Sequence, residues 1–212
     1  MNNQVGLELR GVQIFLEDRL LISISDIVAP GDILTVMGPS GSGKSTLLSY
    51  IGGFLHSAFK ANGQVILKGA DISQKPAEQR KVGILFQDPL LFPHMSVGEN
   101  LLFALPPDIK GRLKRHDAAH EALEEAGMGE MFDHDPATLS GGQKARVALM
   151  RVLLAKPQAL LLDEPFSKLD TGRRDGIRKF VFSEAKRWNL PVLLITHDIA
   201  DAEAAGGKVF NL

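Results

Sequence analysis

Cysteine is missing from this sequence. That excludes disulfides, a thiolate metal site and a cysteine nucleophile, and it fits a reducing compartment. Charge bias is missing too: the formal net charge is -1. A basic nucleic-acid-binding face and an acidic solvating tail are therefore not expected. No apolar run approaches the ~20 residues of a membrane span; Ala159–Leu162 and Val192–Ile195 are short stretches. The chain is not expected to cross a bilayer alone. Residues 1–10 contain no apolar core segment and no cleavage pattern, which predicts no secretory leader. There is no clear repeat, no low-complexity segment and no linker. What is present is ordinary globular composition, with 212 residues, 44% apolar and 23% charged. That suffices for one compact domain with a substantial core.

Short apolar runs alternate with longer helical stretches. Strands are predicted at Leu7–Arg10, Ile33–Met37, Gln64–Leu67, Val82–Phe86, Ala159–Leu162, Val192–Thr196 and Lys208–Asn211. Ile33–Met37 and Ala159–Leu162 lack polar alternation, as strands covered on both faces do. Helices are predicted at Lys44–Phe54, Val97–Ala104, Gly111–Glu125, Gly142–Ala155, Gly172–Trp188 and Ile199–Ala205. This order reads as α/β with a mainly parallel sheet. Residues 89–137 show helical patterns and no strand. They are read as a helical subdomain inserted into a core made of residues 1–88 and 138–212.

Gly38-Pro39-Ser40-Gly41-Ser42-Gly43-Lys44-Ser45-Thr46 matches the phosphate-loop pattern G-x-x-x-x-G-K-[ST]. It has the required context, an apolar strand before it and a helix opening after it. Glycines let the backbone curl so that successive N–H groups face phosphate oxygens, and the helix N-terminus adds partial positive charge. Lys44 is expected to reach the β- and γ-phosphates and the Ser45 hydroxyl to ligate Mg²⁺. This motif predicts a nucleoside-triphosphate site without saying which phosphate-loop family.

Ala159–Leu162 runs into Asp163-Glu164-Pro165, an apolar strand ending in two carboxylates. The C-terminal ends of such strands open onto the ligand crevice of an α/β sheet. Asp163 is then placed to hold Mg²⁺. Adjacent strand residues face opposite ways, so Glu164 can serve the same site only if the chain turns there. Glu164 is assigned to the attacking water, as general base or orienting group.

Leu139-Ser140-Gly141-Gly142-Gln143, just ahead of a predicted helix, resembles the signature motif of the ABC ATPase family. The resemblance covers essentially the whole chain. It implies a phosphate-loop ABC-ATPase fold, with an N-terminal β-rich part beside the parallel core. Ser140 and the glycine N–H groups form a second anion site at a helix start. In the family this site reaches the γ-phosphate of ATP held by another copy. Gln87 in Phe86-Gln87-Asp88 looks like the Q-loop glutamine, expected at Mg²⁺ or the water. Ser167-Lys168-Leu169-Asp170 looks like the D-loop, and Lys168 stands where a small residue is common. His197 looks like the switch histidine that contacts the γ-phosphate.

Phe92-Pro93-His94-Met95-Ser96-Val97, with Glu99-Asn100 after it, resembles the post-Q-loop segment of bacterial importers of the iron, thiamine, molybdate and sulfate type. The resemblance therefore implies a set of partners. These are a second copy of the chain in an ATP sandwich, integral membrane permease subunits and a solute-binding protein, with no nucleic acid. It implies a cytoplasmic protein, peripheral on the inner membrane. Rival readings are an exporter ATPase and a soluble ABC ATPase acting on nucleic acid or ribosomes. The aromatic residue on which the family stacks adenine aligns with Leu16, beside Phe15. Either Phe15 is recruited through a bulge or the base rests on Leu16. The chain stops after its last predicted strand, so no C-terminal regulatory domain is expected. The pair His116 and His120 and the cluster Lys110–Arg115 read as solvated helix face. Gly206-Gly207 reads as a turn.

Overall fold

The computed structural model describes residues 6–39 and 41–212. Among these the strands are β1 (Leu7–Leu16), β2 (Arg19–Val28), β3 (Ile33–Met37), β4 (Phe59–Leu67), β5 (Ala70–Asp71), β6 (Val82–Leu85), β7 (Ala159–Asp163), β8 (Val192–Thr196) and β9 (Lys208–Asn211). The helices are α1 (Lys44–Gly52), α2 (Val97–Ala104), α3 (Arg112–Glu125), α4 (Gly141–Leu154), α5 (Thr171–Arg187) and α6 (Ile199–Ala205). The class is α/β, with one sheet ordered β6-β7-β8-β3-β9 and an antiparallel sheet ordered β2-β1-β4-β5.

The chain divides into two compact units. The first holds the residues up to Ile84 together with Gln158–Glu164 and Phe182–Leu212. Its parallel pairs are β7 with β8, β8 with β3, and β3 with β9. β7 and β8 bury every residue but Asp163 at the end of β7. Their lack of alternation has this cause, since both faces are covered. Leu34, Val36, Leu161, Leu193 and Ile195 join Leu47 and Ile51 of α1 and Ile14, Ile22 and Val65 of the antiparallel sheet in one core.

The antiparallel sheet is larger than the sequence indicates. β1 runs on from Arg10 to Leu16, β4 starts at Phe59 rather than Gln64, and β2 and β5 are additional strands. Two glycines make the extension possible. Gly11 takes φ +58, and the β1–β4 register shifts between Arg10 and Gln13. Gly63 takes φ +91, and a Cβ there would lie 2.3 Å from the Gly11 carbonyl oxygen. The bulge interrupts the alternation without ending the strand.

The second unit comprises Leu85–Pro157 and Pro165–Val181. Within it, residues 89–137 form α2, α3 and short 3-10 turns. Ser96 caps α2 by a reciprocal box with Glu99. Asn100 is fully buried. Its amide accepts from Phe92 N at 2.8 Å and donates to the carbonyls of Phe92, Met95 and Ser96 at 3.1, 3.3 and 3.0 Å. The segment ahead of α2 is thereby pinned. The Arg151 guanidinium covers the Phe92 ring at 5.2 Å.

Lys110, Arg112, Lys114 and His116 are exposed as a solvated face predicts, while Arg115 and His120 are partly covered and make structural contacts. Arg115 donates to the carbonyls of Leu102, Leu105, Pro106 and Ile109, at and just beyond the C-terminal end of α2. His120 stacks on Phe132 at 4.3 Å with the rings 5° apart, and His116 packs beside both. Long side chains on a polar helix face find partners that composition alone does not reveal.

Candidate active site

The parallel sheet lines up three strand ends. Met37 of β3 pairs with Thr196 of β8, and Asp163 of β7 pairs with Ile195. The segments leaving β3, β7 and β8 therefore emerge at one edge, where open α/β sheets hold ligands. The first brings the loop from Gly38 into α1, the second Asp163 and Glu164, the third His197.

The loop is built for an anion. Gly41 and Gly43 take φ +80 and +92, and Gly43 is the N-cap of α1 with no side-chain cap bond. The first amides of α1 are thus left to a ligand. Lys44 is only 5% exposed. Its ammonium donates to the carbonyls of Gly38 and Pro39, both at 2.8 Å. The Ser42 hydroxyl is buried with no hydrogen-bond partner among the described residues. A buried orphan hydroxyl beside open helix amides fits a phosphate oxygen. Ser40 lies outside the described residues.

Ser45 Oγ donates to Asp163 Oδ1 at 3.1 Å. A hydroxyl and a carboxylate in contact are the oxygen donors Mg²⁺ takes alongside phosphate, so these residues fit the ion. Burial, with Glu164 as neighbour, pushes the Asp163 carboxyl above its ordinary value, while Ser45 and Lys44 pull it down. A divalent cation would reverse that balance by favouring the ionised form.

Glu164 resolves the problem of two adjacent acids. Its φ is +44 and its N–H donates to the Ile195 carbonyl at 2.9 Å. The backbone turns through the left-handed region, which a long side chain rarely adopts. The turn brings Glu164 Oε2 to 3.1 Å from His197 Nδ1. His197 is about half exposed and Glu164 mostly covered, at 54% and 21%. Thr196 donates to the buried carboxylate of Asp201 at 2.8 Å, fixing the strand end that carries His197. A cleft of about 390 Å³ runs from Gly41–Thr46 and Glu164 to Leu16, Arg19, Leu21 and Phe59. Leu16 lines it and Phe15 does not.

The first unit therefore assembles Gly38, Pro39, Gly41, Ser42, Gly43, Lys44, Ser45, Thr46, Asp163, Glu164 and His197. Gln87 and Ser140–Gln143 belong to the second unit. Ser140 caps α4: its hydroxyl accepts from Gln143 N at 3.4 Å, and Gln143 Oε1 accepts from Ser140 N at 2.8 Å. The Gln143 amide also meets Met131 Sδ at 3.6 Å, so that side chain is committed within its own unit. Gly142 admits Ile177 closely, since a Cβ there would stand 3.2 Å from Ile177 Cδ1. Lys168 pairs with Asp88, next to Gln87, at 2.5 Å. Arg19, Leu21 and Phe59 carry no local motif. Only the pairing of β1 with β2 and β4 brings them to the cleft.

The family model for ABC transporters matches residues 21–167. An uncharacterised ABC transporter ATP-binding protein, YnjD of Escherichia coli, is 53% identical over 188 residues, or 89% of this chain and 86% of that protein. The thiamine import ATP-binding protein ThiQ of Jannaschia sp. is 40% identical over 185 residues, or 87% of this chain and 80% of that protein. The Fe(3+) ions import ATP-binding protein FbpC of Rhizobium etli is 37% identical over 182 residues, or 86% of this chain and 51% of that protein.

Proposed function

Since the chain belongs to the ABC transporter ATPase family and hydrolyses ATP as its members do, we propose that it energises solute import through partner membrane subunits, working as a homodimer that closes over ATP. The observation that carries the reading is the convergence of Lys44, the Ser45–Asp163 pair and the Glu164–His197 pair at one sheet edge. Lys44 exchanges its loop carbonyls for β- and γ-phosphate oxygens, and the amides of Gly41–Thr46 take the rest of the charge. Ser45 and Asp163 are the residues that would hold Mg²⁺. When bound, the ion would supply positive charge against the negative charge that develops on the phosphate during transfer. Glu164 orients water and accepts its proton, with His197 holding the carboxylate in place and facing the γ-phosphate.

The second copy supplies Ser140, Gly141 and Gly142, whose helix start faces the same γ-phosphate. Neither copy is complete alone, so hydrolysis depends on dimerisation, and opening and closing of the dimer is passed to the permease. The permease seat is the groove of about 960 Å³ in the second unit, lined by His94, Met95, Leu102, Phe103, Arg115 and Phe132. Phe103 is 65% exposed there. An apolar patch of that kind suits a short helix from a membrane subunit. Residues 89–137 are then the helical subdomain that meets the membrane. A solute-binding protein outside the membrane completes the importer, and the chain sits on the cytoplasmic face. Import names among the relatives support this direction over export.

The test is Glu164→Gln. ATP binding is retained, hydrolysis falls by about 10²–10⁴-fold, and ATP traps a stable dimer on gel filtration. Unchanged turnover in that variant refutes the role of Glu164.

A further inference from the structure

A triphosphate at Lys44 carries a base, and the strands beside the loop decide what meets it. Leu16 pairs with Arg19 on one side and with Phe59 on the other. Directly paired residues of an antiparallel sheet project to the same face. Arg19, Leu16 and Phe59 thus form a row across three strands, roughly 10 Å wide at ordinary strand spacing. All three line the cleft that begins at Gly41–Thr46. Phe15 pairs with Leu20 and Lys60 and belongs to the opposite face. The register so decides between the two residues considered for the base: the cleft side carries Leu16, and its aromatic ring comes from β4.

The row is also notable for its chemistry. Its side chains are a half-buried ring, an exposed leucine and a guanidinium. Among the described lining residues there is no Asn, Gln or Asp, and the one carboxylate among them, Glu164, belongs to the phosphate end. Ring and guanidinium faces hold any base by stacking, which is tolerant of base identity. Strong selection between similar ligands needs hydrogen-bonding groups that are left unpaired by the wrong one.

We propose that Phe59, with Leu16 and Arg19, is the platform for the nucleotide base, and that this platform holds purines by their faces without selecting ATP over GTP. The proposal rests on the phosphate-loop reading above and adds the residue and the specificity.

The experiment is calorimetric titration of the full chain with MgATP, MgGTP and magnesium tripolyphosphate. ATP and GTP are expected to bind within ten-fold of each other. Phe59→Ala should weaken both by about ten-fold or more while tripolyphosphate binds as before. Phe59→Trp should restore affinity. In a Trp188→Phe background its fluorescence should be quenched by ATP and not by tripolyphosphate. Full ATP affinity in Phe59→Ala overturns the platform, as does an equal loss of tripolyphosphate binding. A preference for ATP beyond ten-fold overturns the stated lack of selection. Failure of tripolyphosphate to bind the unaltered chain instead overturns the phosphate-loop reading beneath it.

Discussion

Ser140→Ala separates two accounts of the signature serine, as an ordinary helix cap and as a contact to a nucleotide held by another copy. The cap bond it removes is long, 3.4 Å from the Gln143 amide to the Ser140 hydroxyl. Its loss belongs at the low end of the capping range, about 0.5–1 kcal/mol. The reciprocal bond survives, because Gln143 Oε1 accepts from the backbone N of residue 140. For a chain of this size the melting temperature should fall by about 1–4 °C. The functional loss is set by different physics. A hydroxyl donating to a phosphate makes a charge-assisted bond worth about 1.5–3 kcal/mol, or roughly 10–100-fold at each of the sites of a symmetric dimer. Thermal melting without nucleotide measures the first quantity. ATP-dependent dimer formation in the Glu164→Gln background, by light scattering, measures the second. A variant that melts a little lower yet dimerises and turns over normally would reduce Ser140 to a cap and sink the two-copy site.

Two further expectations follow from buried polar groups. Asp163→Asn should abolish Mg²⁺-dependent hydrolysis yet raise the melting temperature of the nucleotide-free protein near pH 7. Burial holds the Asp163 carboxyl above its ordinary value, so its ionised form opposes folding. That penalty is present at neutral pH and fades as pH falls through the raised pKa. The gain should therefore shrink on acidification towards pH 4, and a gain that grows instead contradicts the assignment. Asn100→Leu should lower stability by about 3 kcal/mol, since it strands the buried partners of the amide around Phe92 and Met95. Melting, protease cutting within residues 89–97 and permease pull-down should all register the release of that segment.

The elements that carry chemistry were legible because their signals are local. Ile33–Met37, Val97–Ala104, Val192–Thr196 and Ile199–Ala205 form as read, each marked by a mainly apolar run without polar alternation or by a capping residue at its start. The phosphate loop declares itself through glycines that only a curled backbone needs. The antiparallel sheet was only half legible. The alternation Ile22-Ser23-Ile24-Ser25 does mark β2, but β1 and β4 are interrupted by Gly11 and Gly63, which look like ends and are a bulge. The role of Phe59 was out of reach altogether. It depends on which residue of β4 stands opposite Leu16, a matter of register that no short segment records. The same holds for Lys168, whose partner Asp88 is distant in sequence.

The left-handed backbone at Glu164 sets a narrow rule for which residues that position tolerates. Aspartate and asparagine sit in this region more comfortably, so relaxing the chain there is one substitution away. A shorter acid would ease the main chain but fall one methylene short of His197. Branching at Cβ would suit neither need. Within this fold an acid of glutamate's length spans the gap to His197 at the cost of the twist, so ease of folding and reach to His197 pull position 164 in opposite directions.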